Sequence, residues 1–343
     1  MNLKELSKLL NLSQTTVSRA LNGYPEVSEA TRQRVVKAAE AHSYSPNARA
    51  QGLAMGRSRC IGHVISVRDS GEMVNPIFGD FMAGAGETYA AHGYEMMLTR
   101  VDEQDEDEAY RSLKARGAVD GVIIHAPRQR DARLPLLDQL GLPFVVHGRA
   151  SGSTVDYSWL DVNNRRAFEM ATQHLIDLGH KRLALINGDE ALDFAMRRRM
   201  GFEAAIANNG LTLDPACMSS NDMTEGHGYA SASAMLERNP APTAFVVSSI
   251  ISALGVRRAA EERGLRVGAD TSIVTFDDCL SYLRIGVDTP VFTAVQSSVR
   301  EAGAALAQML IDRIQNPDMP LAQRLWETEF VVGSSSGPLK DGT

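Results

Sequence analysis

The first polar side chains whose types and spacing could perform chemistry lie at positions 14–19. Gln14, Thr15, Ser18 and Arg19 fall on one side of a short helical pattern, and apolar residues fall on the other side. Gln can pair bidentately with adenine, Arg with guanine, and the Thr methyl group can contact the thymine methyl group. These residue types at this spacing therefore suit the recognition of base edges in a groove of DNA.

Other patterns that could carry catalysis lack a necessary part. The run GSSSG at 333–337 matches the nucleophile pattern G-x-S-x-G by letter, but no helix follows it, so a flexible terminus is expected instead. The glycines at 84–86 do not continue to the third glycine of a dinucleotide fingerprint. The eight histidines show no catalytic zinc spacing, the cysteines fit buried reduced thiols, and the acidic run at 102–108 fits a solvated loop. We expect no enzyme, no cofactor and no metal site.

The elements that would position Gln14 and Arg19 are three short helices. Helical spacing of apolar residues predicts helices over 2–10, 14–21 and 29–43. Ser13 and Ser28 are suited to cap the second and third helices. Two short helices joined by a three- or four-residue turn form the unit that places its second helix in the major groove. Any three-helix bundle shows similar spacing, so the pattern alone leaves DNA binding open.

Composition and charge agree with a DNA-binding head on a larger body. The 343 residues are 44% hydrophobic and 22% charged, as in ordinary globular proteins, and the length calls for two or three compact units. Residues 1–59 hold nine Lys or Arg and four acids, so this segment carries +5 and the remainder −12. A basic head suits an approach to phosphate. No run approaches the ~18 apolar residues needed to span a bilayer, and no secretory signal pattern is present, which predicts a cytoplasmic protein.

After residue 59, apolar strand patterns alternate with helical patterns. Such alternation predicts two doubly wound parallel sheets with helices on both faces, and a ligand cleft outside the carboxyl ends of the strands. The predicted strands are 60–67, 94–99, 121–125, 144–147, 183–187, 245–248, 273–276 and 326–332, and the predicted helices are 78–92, 106–116, 134–140, 195–209, 252–263 and 299–314.

The run LSQTTVSRALNGYPEVSEATRQRVVKAAEAHSYSPNARAQGLA resembles, almost position by position, the headpiece of the LacI/GalR (lactose-repressor) family. The resemblance implies that Gln14, Thr15 and Arg19 contact bases. It also implies that a second set of residues holds phosphates or fixes the headpiece: Ser13, Thr16, Ser18, Asn22 and Tyr44.

Residues 45–58 are predicted to be a hinge. Ser45 and Pro46 begin a possible helix of about nine residues, and isolated helices shorter than ~12–15 residues are marginal in water. We therefore expect this segment to fold only on DNA. The resemblance implies that it enters the minor groove, with Asn47 and Ala50 among its contacts and Leu53 as an apolar wedge between base pairs.

The resemblance continues through about residue 333, in stretches such as HLIDLGHKRLALING, RRRMGFEAAI and IVTFDD. It implies an all-α helix-turn-helix headpiece followed by an α/β bilobal domain like the periplasmic sugar-binding proteins. The expected domains are a headpiece at 1–44, the hinge at 45–58, an effector-binding and dimerisation domain at 59–333, and a flexible tail at 334–343. Lobe one is expected at 59–160 and 290–321, and lobe two at 161–289 and 322–333.

The predicted effector site follows from the family pattern. Arg198, three residues before Gly201, matches an arginine that grips effector oxygens, and Asp277 matches an acid at a strand end. An Arg fork and a carboxylate together bind neighbouring hydroxyls, as a sugar requires. The other predicted site residues are matching positions or aromatic side chains that could stack on a sugar: Asn75, Phe78, His147, Arg149, Trp159, Phe194 and Ser249.

Three departures from the family pattern change what can be carried over. Ile250 stands where an acid usually follows the position of Ser249, Gly148-Arg149 replaces an Asp, and Gly333 replaces a frequent arginine. The stretches YSWLDVNNRRAFEMATQHL and LDFAMRRRMGF resemble regulators of bacterial α-glucoside use. The predicted effector is therefore a carbohydrate of the α-glucoside class.

The combined prediction is a homodimeric repressor that binds a pseudo-palindromic operator and is controlled by the sugar. Relief of repression by an inducer is one arrangement, and corepression is the alternative. A cytoplasmic sugar-binding protein without operator binding is the competing function. The sequence predicts neither the operator nor the regulated genes.

Overall fold

The computed structural model describes residues 1–44, 57–66, 75–283 and 289–339. It divides into two compact units, one built mainly from Met1–Arg59 and the other from most of the chain after Cys60. The predicted hinge residues Asn47, Ala50 and Leu53 lie outside the described residues.

The described part of the N-terminal unit is helical, as predicted. It consists of α1 (Leu3–Leu10), α2 (Gln14–Leu21) and α3 (Glu29–Ala41), the last of which ends two residues before its predicted end. Ser13 and Ser28 cap α2 and α3 by accepting hydrogen bonds from the N–H groups three residues on. The apolar faces of the three helices form one small core.

The second unit is α/β. Its strands among the described residues are β1 (Cys60–Ser66), β2 (Glu95–Val101), β3 (Gly121–His125), β4 (Phe144–His147), β5 (Ser158–Val162), β6 (Leu183–Asn187), β7 (Met218–Ser220), β8 (Ala244–Val247), β9 (Ser272–Asp277), β10 (Thr293–Gln296), β11 (Gln323–Trp326) and β12 (Glu329–Val331). Its helices there are α4 (Pro76–Ala91), α5 (Glu106–Ala115), α6 (Arg133–Leu140), α7 (Asn164–Asp177), α8 (Asp193–Asn208), α9 (Glu225–Leu236), α10 (Ile250–Glu261) and α11 (Val299–Gln315), with short 3-10 turns at Glu103–Asp105 and Pro215–Cys217.

These strands form two sheets, which confirms the predicted fold class. The orders are β11-β5-β4-β3-β1-β2 and β12-β10-β9-β8-β6-β7, and among the described residues every pairing is parallel except β10 with β12. We call the regions around these sheets lobe one and lobe two. Central strands such as β3 and β8 are fully buried apolar runs, as expected for parallel strands covered on both faces.

The chain passes between the lobes at three crossovers. The first joins β5 to α7, the second joins β10 to α11, and the third joins β11 to β12. In the first crossover the N–H of Asn163 donates to the carbonyl of Trp326 at 2.8 Å, so the first and third passages are hydrogen-bonded to each other.

The observed strand pairing corrects the expected lobe boundaries. Strand β10 was expected in lobe one with 290–321, but it pairs with β9 in the second sheet. Strand β11 was expected in lobe two with 322–333, but it pairs with β5 in the first sheet. The predicted strand 326–332 is in fact two strands, because the chain leaves one sheet at Trp326 and enters the other at Glu329.

The prediction of a flexible tail at 334–343 is wrong for the described part, 334–339. Ser335 is 1% exposed. Its hydroxyl donates to the carbonyl of Ile273 at 2.6 Å and accepts from the N–H of Thr293 at 2.8 Å. These backbone groups would otherwise be buried without partners, so the segment completes the end of the second sheet.

The crossing of helices α4 and α11 depends on two glycines. A Cβ on Gly84 of α4 would lie 2.0 Å from the carbonyl oxygen of Arg300, and one on Gly303 of α11 would lie 2.2 Å from that of Phe81. The backbones of α4 and α11 therefore approach too closely for any side chain at these positions. Within the described ranges, none of the helices is both long and apolar enough to cross a bilayer.

Candidate functional site

Helix α2 presents the residues predicted to contact bases. Gln14, Thr15 and Arg19 are exposed on one side, whereas Val17 and Ala20 are buried in the core on the other. The helix ends are fixed by the Ser13 cap and by the turn after Leu21, so the exposed face is held rigidly. Such a face can enter a major groove without disturbing the core.

The residues predicted to hold phosphates surround this face with unequal exposure. Ser13 is exposed and its hydroxyl lies 2.8 Å from that of Thr16. Ser18 is half-buried and accepts a hydrogen bond from the Asn22 amide at 3.4 Å. Tyr44 packs against the apolar core of the N-terminal unit, which is the role of fixing the headpiece.

Arg198 is the centre of the second candidate site. Its side chain is 5% exposed, and its guanidinium carbon lies 4.0 Å from the ring centre of Phe276 and 4.9 Å from that of Phe194. Nε donates to the side-chain oxygen of Asn164 at 2.8 Å, and Nη1 donates to the carbonyl of Ser248 at 2.6 Å. The remaining nitrogen, Nη2, has no hydrogen-bond partner among the described residues. Burial lowers the pKa of Arg198 to about 10, so it remains a cation at neutral pH.

The neighbouring arginines, Arg197 and Arg199, are paired with acids. Arg197 donates to Asp193, and Arg199 forms ion pairs of 2.7 Å with both Glu190 and Glu203. Arg198 therefore differs from both neighbours, since its hydrogen-bond partners are neutral and aromatic rings surround it.

Arg149 belongs to the same polar cluster. Its Nε donates to Asp161 at 2.7 Å, and its guanidinium carbon lies 5.0 Å from the ring centre of Trp159. The other Asp161 oxygen accepts from the side-chain amide of Asn164 at 3.2 Å. Asp161 and Asn164 were not predicted as site residues, although both stand in the stretch that resembles α-glucoside regulators.

The carboxylates that raise the pKa of Arg198 against the effect of burial are Asp278 and, after it, Asp161, and not the predicted Asp277. Burial raises the pKa of Asp278 to about 7, and the Arg198 cation opposes that rise. Asp277 instead accepts from the N–H of Cys279 at 2.8 Å and from the Gln296 amide at 3.0 Å. The two acids are adjacent in the sequence, so only the geometry of the turn after β9 separates their roles.

Lobe one contributes a wall of histidine and phenylalanine rings. His147 lies opposite His125 in the register of β3 and β4, and Phe81 stacks on His147 with ring centres 4.8 Å apart. Nε2 of His125 lies 3.0 Å from Nδ1 of His63, and the His125 ring meets the Phe78 ring edge-on with ring centres 5.3 Å apart. Burial lowers the pKa of His63 to about 3, that of His147 to about 4, and that of His125 well below the usual range. The wall is therefore neutral.

The remaining predicted residues are placed less directly. Asn75 is exposed and caps α4, accepting from the N–H of Ile77 at 3.0 Å. Ser249 is completely buried and caps α10 in the same way, accepting from the N–H of Ile251 at 3.2 Å. Among the predicted residues, the structure thus groups Arg198 with Phe194 and Arg149 with Trp159, and it places Phe78 and His147 against the same ring, that of His125.

The lobes contact each other at two acid–serine pairs. Asp80 of lobe one accepts from the N–H of Ser281 at 2.5 Å and from its hydroxyl at 2.7 Å. Asp193 of lobe two accepts from the N–H of Ser151 at 3.1 Å and also from its hydroxyl. Each lobe therefore offers one carboxylate to a serine of the other lobe.

The arrangement in the second unit is suited to binding a polyhydroxylated molecule. Guanidinium donors, carboxylate and amide acceptors and aromatic faces lie together at the carboxyl ends of the strands. Hydroxyl groups can donate to the acceptors and accept from the donors. Among the described residues, no group of three or more His, Cys, Asp or Glu side chains is arranged to hold a metal ion.

Comparison with known proteins gives matches to both units. Residues 2–47 match the family described as "Bacterial regulatory proteins, lacI family", and residues 66–326 match "Periplasmic binding proteins and sugar binding domain of LacI family". Over 340 residues the chain is 44% identical to the HTH-type transcriptional regulator AglR of Rhizobium meliloti (strain 1021), covering 99% of this chain and 95% of AglR.

Two solved structures extend the comparison. The transcriptional regulator CelR–cellobiose complex is 28% identical, with a TM-score of 0.72 over 98% of this chain and 99% of that one. The lac repressor dimer bound to operator and the anti-inducer ONPF has a TM-score of 0.82 over 98% of this chain and 99% of that one. Its identity of 23% makes it a likeness of fold alone.

Proposed function

Because the chain belongs to the LacI family of bacterial regulatory proteins, we propose that it represses genes of carbohydrate use in the cytoplasm and that a sugar bound between its lobes controls its hold on operator DNA. It is a DNA-binding transcriptional regulator, and its relatives are regulators and not enzymes. The observation that carries the sugar part is the buried Arg198, which has one guanidinium nitrogen without a protein partner among the described residues.

The proposed DNA contacts are the exposed face of α2 with Gln14, Thr15 and Arg19, supported by phosphate contacts from its flanks. One headpiece offers few contacts, so we propose a homodimer that places two of them on a pseudo-palindromic operator. Joining two headpieces at a fixed spacing raises the effective concentration of the second.

The proposed effector is an α-glucoside. The stretches 157–175 and 192–202, which resemble regulators of α-glucoside use, supply Trp159, Asp161, Asn164 and Arg198. Arg198 and Arg149 would donate to sugar oxygens, and Asp278 or Asp277 would accept from hydroxyls. Trp159 and the His147–Phe78 wall would pack on apolar ring faces. The neutral histidines add no charge that an uncharged sugar would have to offset.

The proposed mechanism couples these two sites. A sugar held by both lobes favours one lobe arrangement, and the lobe arrangement changes how the two headpieces of a dimer are spaced. Such coupling is reciprocal and is typically worth ~1–3 kcal/mol, enough to change operator affinity about five-fold or more. We propose that the sugar weakens operator binding and so relieves repression. If the sugar is a corepressor, operator affinity would instead rise when the sugar is added.

The first test is fluorescence anisotropy of the purified protein with duplexes from the DNA around its own gene, with and without maltose, trehalose and sucrose. We expect one duplex to be preferred over scrambled DNA, and one sugar to weaken that preference. Affinity for the preferred duplex should fall steeply with salt, because phosphate contacts release counterions. Absence of any preferred duplex, with or without sugar, would contradict the regulator function and leave the sugar-binding alternative.

The second test compares two adjacent arginines of α8. Arg198→Met should weaken the active sugar on the order of 10- to 100-fold by calorimetry, since hydrogen bonds to charged groups are the strong ones, and should leave operator binding without sugar unchanged. Arg199→Met, at a partly exposed ion pair, should alter neither. Equal effects of the two substitutions would count against the assignment of the site.

A further inference from the structure

We propose that Asn164 is a positioning residue for effector recognition. Together with Asp161 it fixes the direction of the Arg198 guanidinium and connects it to Arg149 in lobe one. The four side chains form a continuous series of hydrogen bonds of 2.7, 3.2 and 2.8 Å. This inference rests on the proposed function only in taking Arg198 as an effector contact.

The chemistry of the series allows one orientation of the Asn164 amide. A guanidinium group only donates, so the Asn164 oxygen must face Arg198. The amide nitrogen must then face acceptors, and it donates both to Asp161 and to the carbonyl of Val162 at 3.0 Å. Asp161 in turn accepts from Arg149. Reversing the amide would oppose donors to donors at one end and acceptors to acceptors at the other.

Burial makes this orientation of the Asn164 amide the only favourable one. Asp161, Asn164 and Arg198 are 4%, 3% and 5% exposed, so water is a poor substitute for any lost partner. With Nε held by Asn164 and Nη1 by Ser248, the guanidinium plane is fixed and its free nitrogen points in one direction. A ligand that accepts a hydrogen bond from this Arg198 nitrogen therefore binds without the entropy cost of ordering the guanidinium.

The position of the series in the fold gives it a second consequence. Arg149 follows β4 in lobe one, Arg198 is on α8 in lobe two, and Asp161 and Asn164 flank the first crossover. A rotation of the lobes about this crossover changes the angle between Asp161 and Asn164. The series therefore positions the two arginines relative to each other, and contact of a ligand with one arginine affects the placement of the other.

The experiment compares adjacent asparagines in the full-length protein, with maltose as the calorimetric probe. Asn164→Ala should raise the dissociation constant of maltose roughly tenfold. Asn163 caps α7 and donates to Glu327 at 2.9 Å, so Asn163→Ala should lower the melting temperature and leave that constant unchanged. Equal losses of affinity in the two variants, or no loss in Asn164→Ala, would overturn the proposal.

A rescue separates positioning from general damage. Asp161→Asn alone should weaken the binding of maltose, because the new amide nitrogen at residue 161 would then face the amide nitrogen of Asn164. In the double variant Asp161→Asn with Asn164→Asp, residue 161 can donate to residue 164 while both arginines keep an acceptor. We expect part of the affinity to return. A double variant no better than the worse single variant would contradict the proposed series.

A ligand-free measurement keeps this inference distinct from the proposed function. In protein labelled with 15N-arginine, the Nε–H of Arg198, assigned with Arg198→Lys, should exchange slowly with solvent and should exchange at least roughly tenfold faster in Asn164→Ala. If maltose does not bind the unaltered protein, the sugar assignment fails while this exchange result still decides the positioning role. Unchanged exchange in Asn164→Ala would overturn the inference whatever the ligand.

Discussion

At the residue scale, the functional groups of this protein are defined by their neighbours more than by their types. Arg197, Arg198 and Arg199 are identical in type and adjacent in sequence, yet two form ion pairs and the third is enclosed by phenylalanines. The family resemblance singled out Arg198 among the three, and its role as an effector contact stays a prediction. It could not predict Asp161 and Asn164, because their role depends on hydrogen bonds between side chains that meet only after two lobes fold.

The turn after β9 shows the same limit. Asp277 was predicted from the FDD pattern, whereas it is the charge of its neighbour Asp278 that interacts with Arg198 and raises the pKa of that arginine. Side chains that follow a strand end no longer alternate in a fixed way, so sequence alone does not say which acid of an adjacent pair faces a ligand.

Asp278 leads to a prediction on pH. Its pKa is about 7 in the folded protein against 3.8 ordinarily. Between these two pH values the folded protein therefore keeps a proton on Asp278 that the unfolded chain has lost. The stability from this group is complete below about pH 4 and is lost as the pH rises toward 7. In urea unfolding at pH 5, 6, 7 and 8, the free energy of unfolding of the unaltered protein minus that of Asp278→Asn should fall with pH, by at most ~1.4 kcal/mol per unit. Parallel curves would refute it.

At the element scale, most of the helices and strands could be predicted because their periodicity is strong. Strands β3, β4 and β6 have the predicted bounds. The missed strands β5, β7 and β10 are SWLDV, MSS and TAVQ, in which polar residues interrupt the apolar ones, whereas β3, β4 and β6 contain unbroken apolar runs. Helix α9 was missed since its glycines lower helix propensity, and one of them, Gly228, is needed where the helix meets Ser252 at close range.

Two glycines of helix α4 should respond to the same substitution with opposite sign. A Cβ on Gly84 would meet the Arg300 carbonyl oxygen at 2.0 Å, whereas one on Gly86 would meet only a Met96 methyl carbon at 3.6 Å. Gly84→Ala should destabilise by about 1–3 kcal/mol through a backbone shift, and Gly86→Ala should stabilise by about 0.5–1 kcal/mol through helix propensity. Thermal unfolding of both variants measures this, and equal shifts would show that α4 and α11 do not cross as described.

At the scale of the whole molecule, the division into headpiece and bilobal body follows from the sequence, and the path of the chain between the lobes does not. Residue positions along the chain suggested one late return to each lobe. The chain does pass three times, but the second and third passages each come one strand later than expected, so β10 and β11 lie in the lobes opposite to those expected. Strand β11 pairs with β5, which lies 164 residues earlier in the chain, and no local pattern reports such a pairing.

The acid–serine contacts between the lobes should influence the affinity for a sugar. Ser151→Ala removes a hydroxyl donor to Asp193 and so should make the observed lobe arrangement less populated. Apparent affinity falls with the population of the binding-competent state, so maltose should bind about two- to tenfold more weakly by calorimetry. Ser153→Ala, whose hydroxyl donates only to the nearby Val155 carbonyl, is the matched control. If the two variants bind maltose equally, the lobe contact has no such influence.

The three crossovers also determine the order in which a newly synthesised chain becomes complete. The headpiece has all of its residues once 44 have left the ribosome. The first sheet waits for its edge strand at Gln323–Trp326, and the second waits for Glu329–Val331 and the Ser335 contacts. The segments that complete the two lobes are therefore close together in the chain, between Gln323 and Ser335. A chain cut short before Gln323 would hold every residue of the headpiece core while both sheets lacked an edge strand, so loss of this one region would damage both lobes at once.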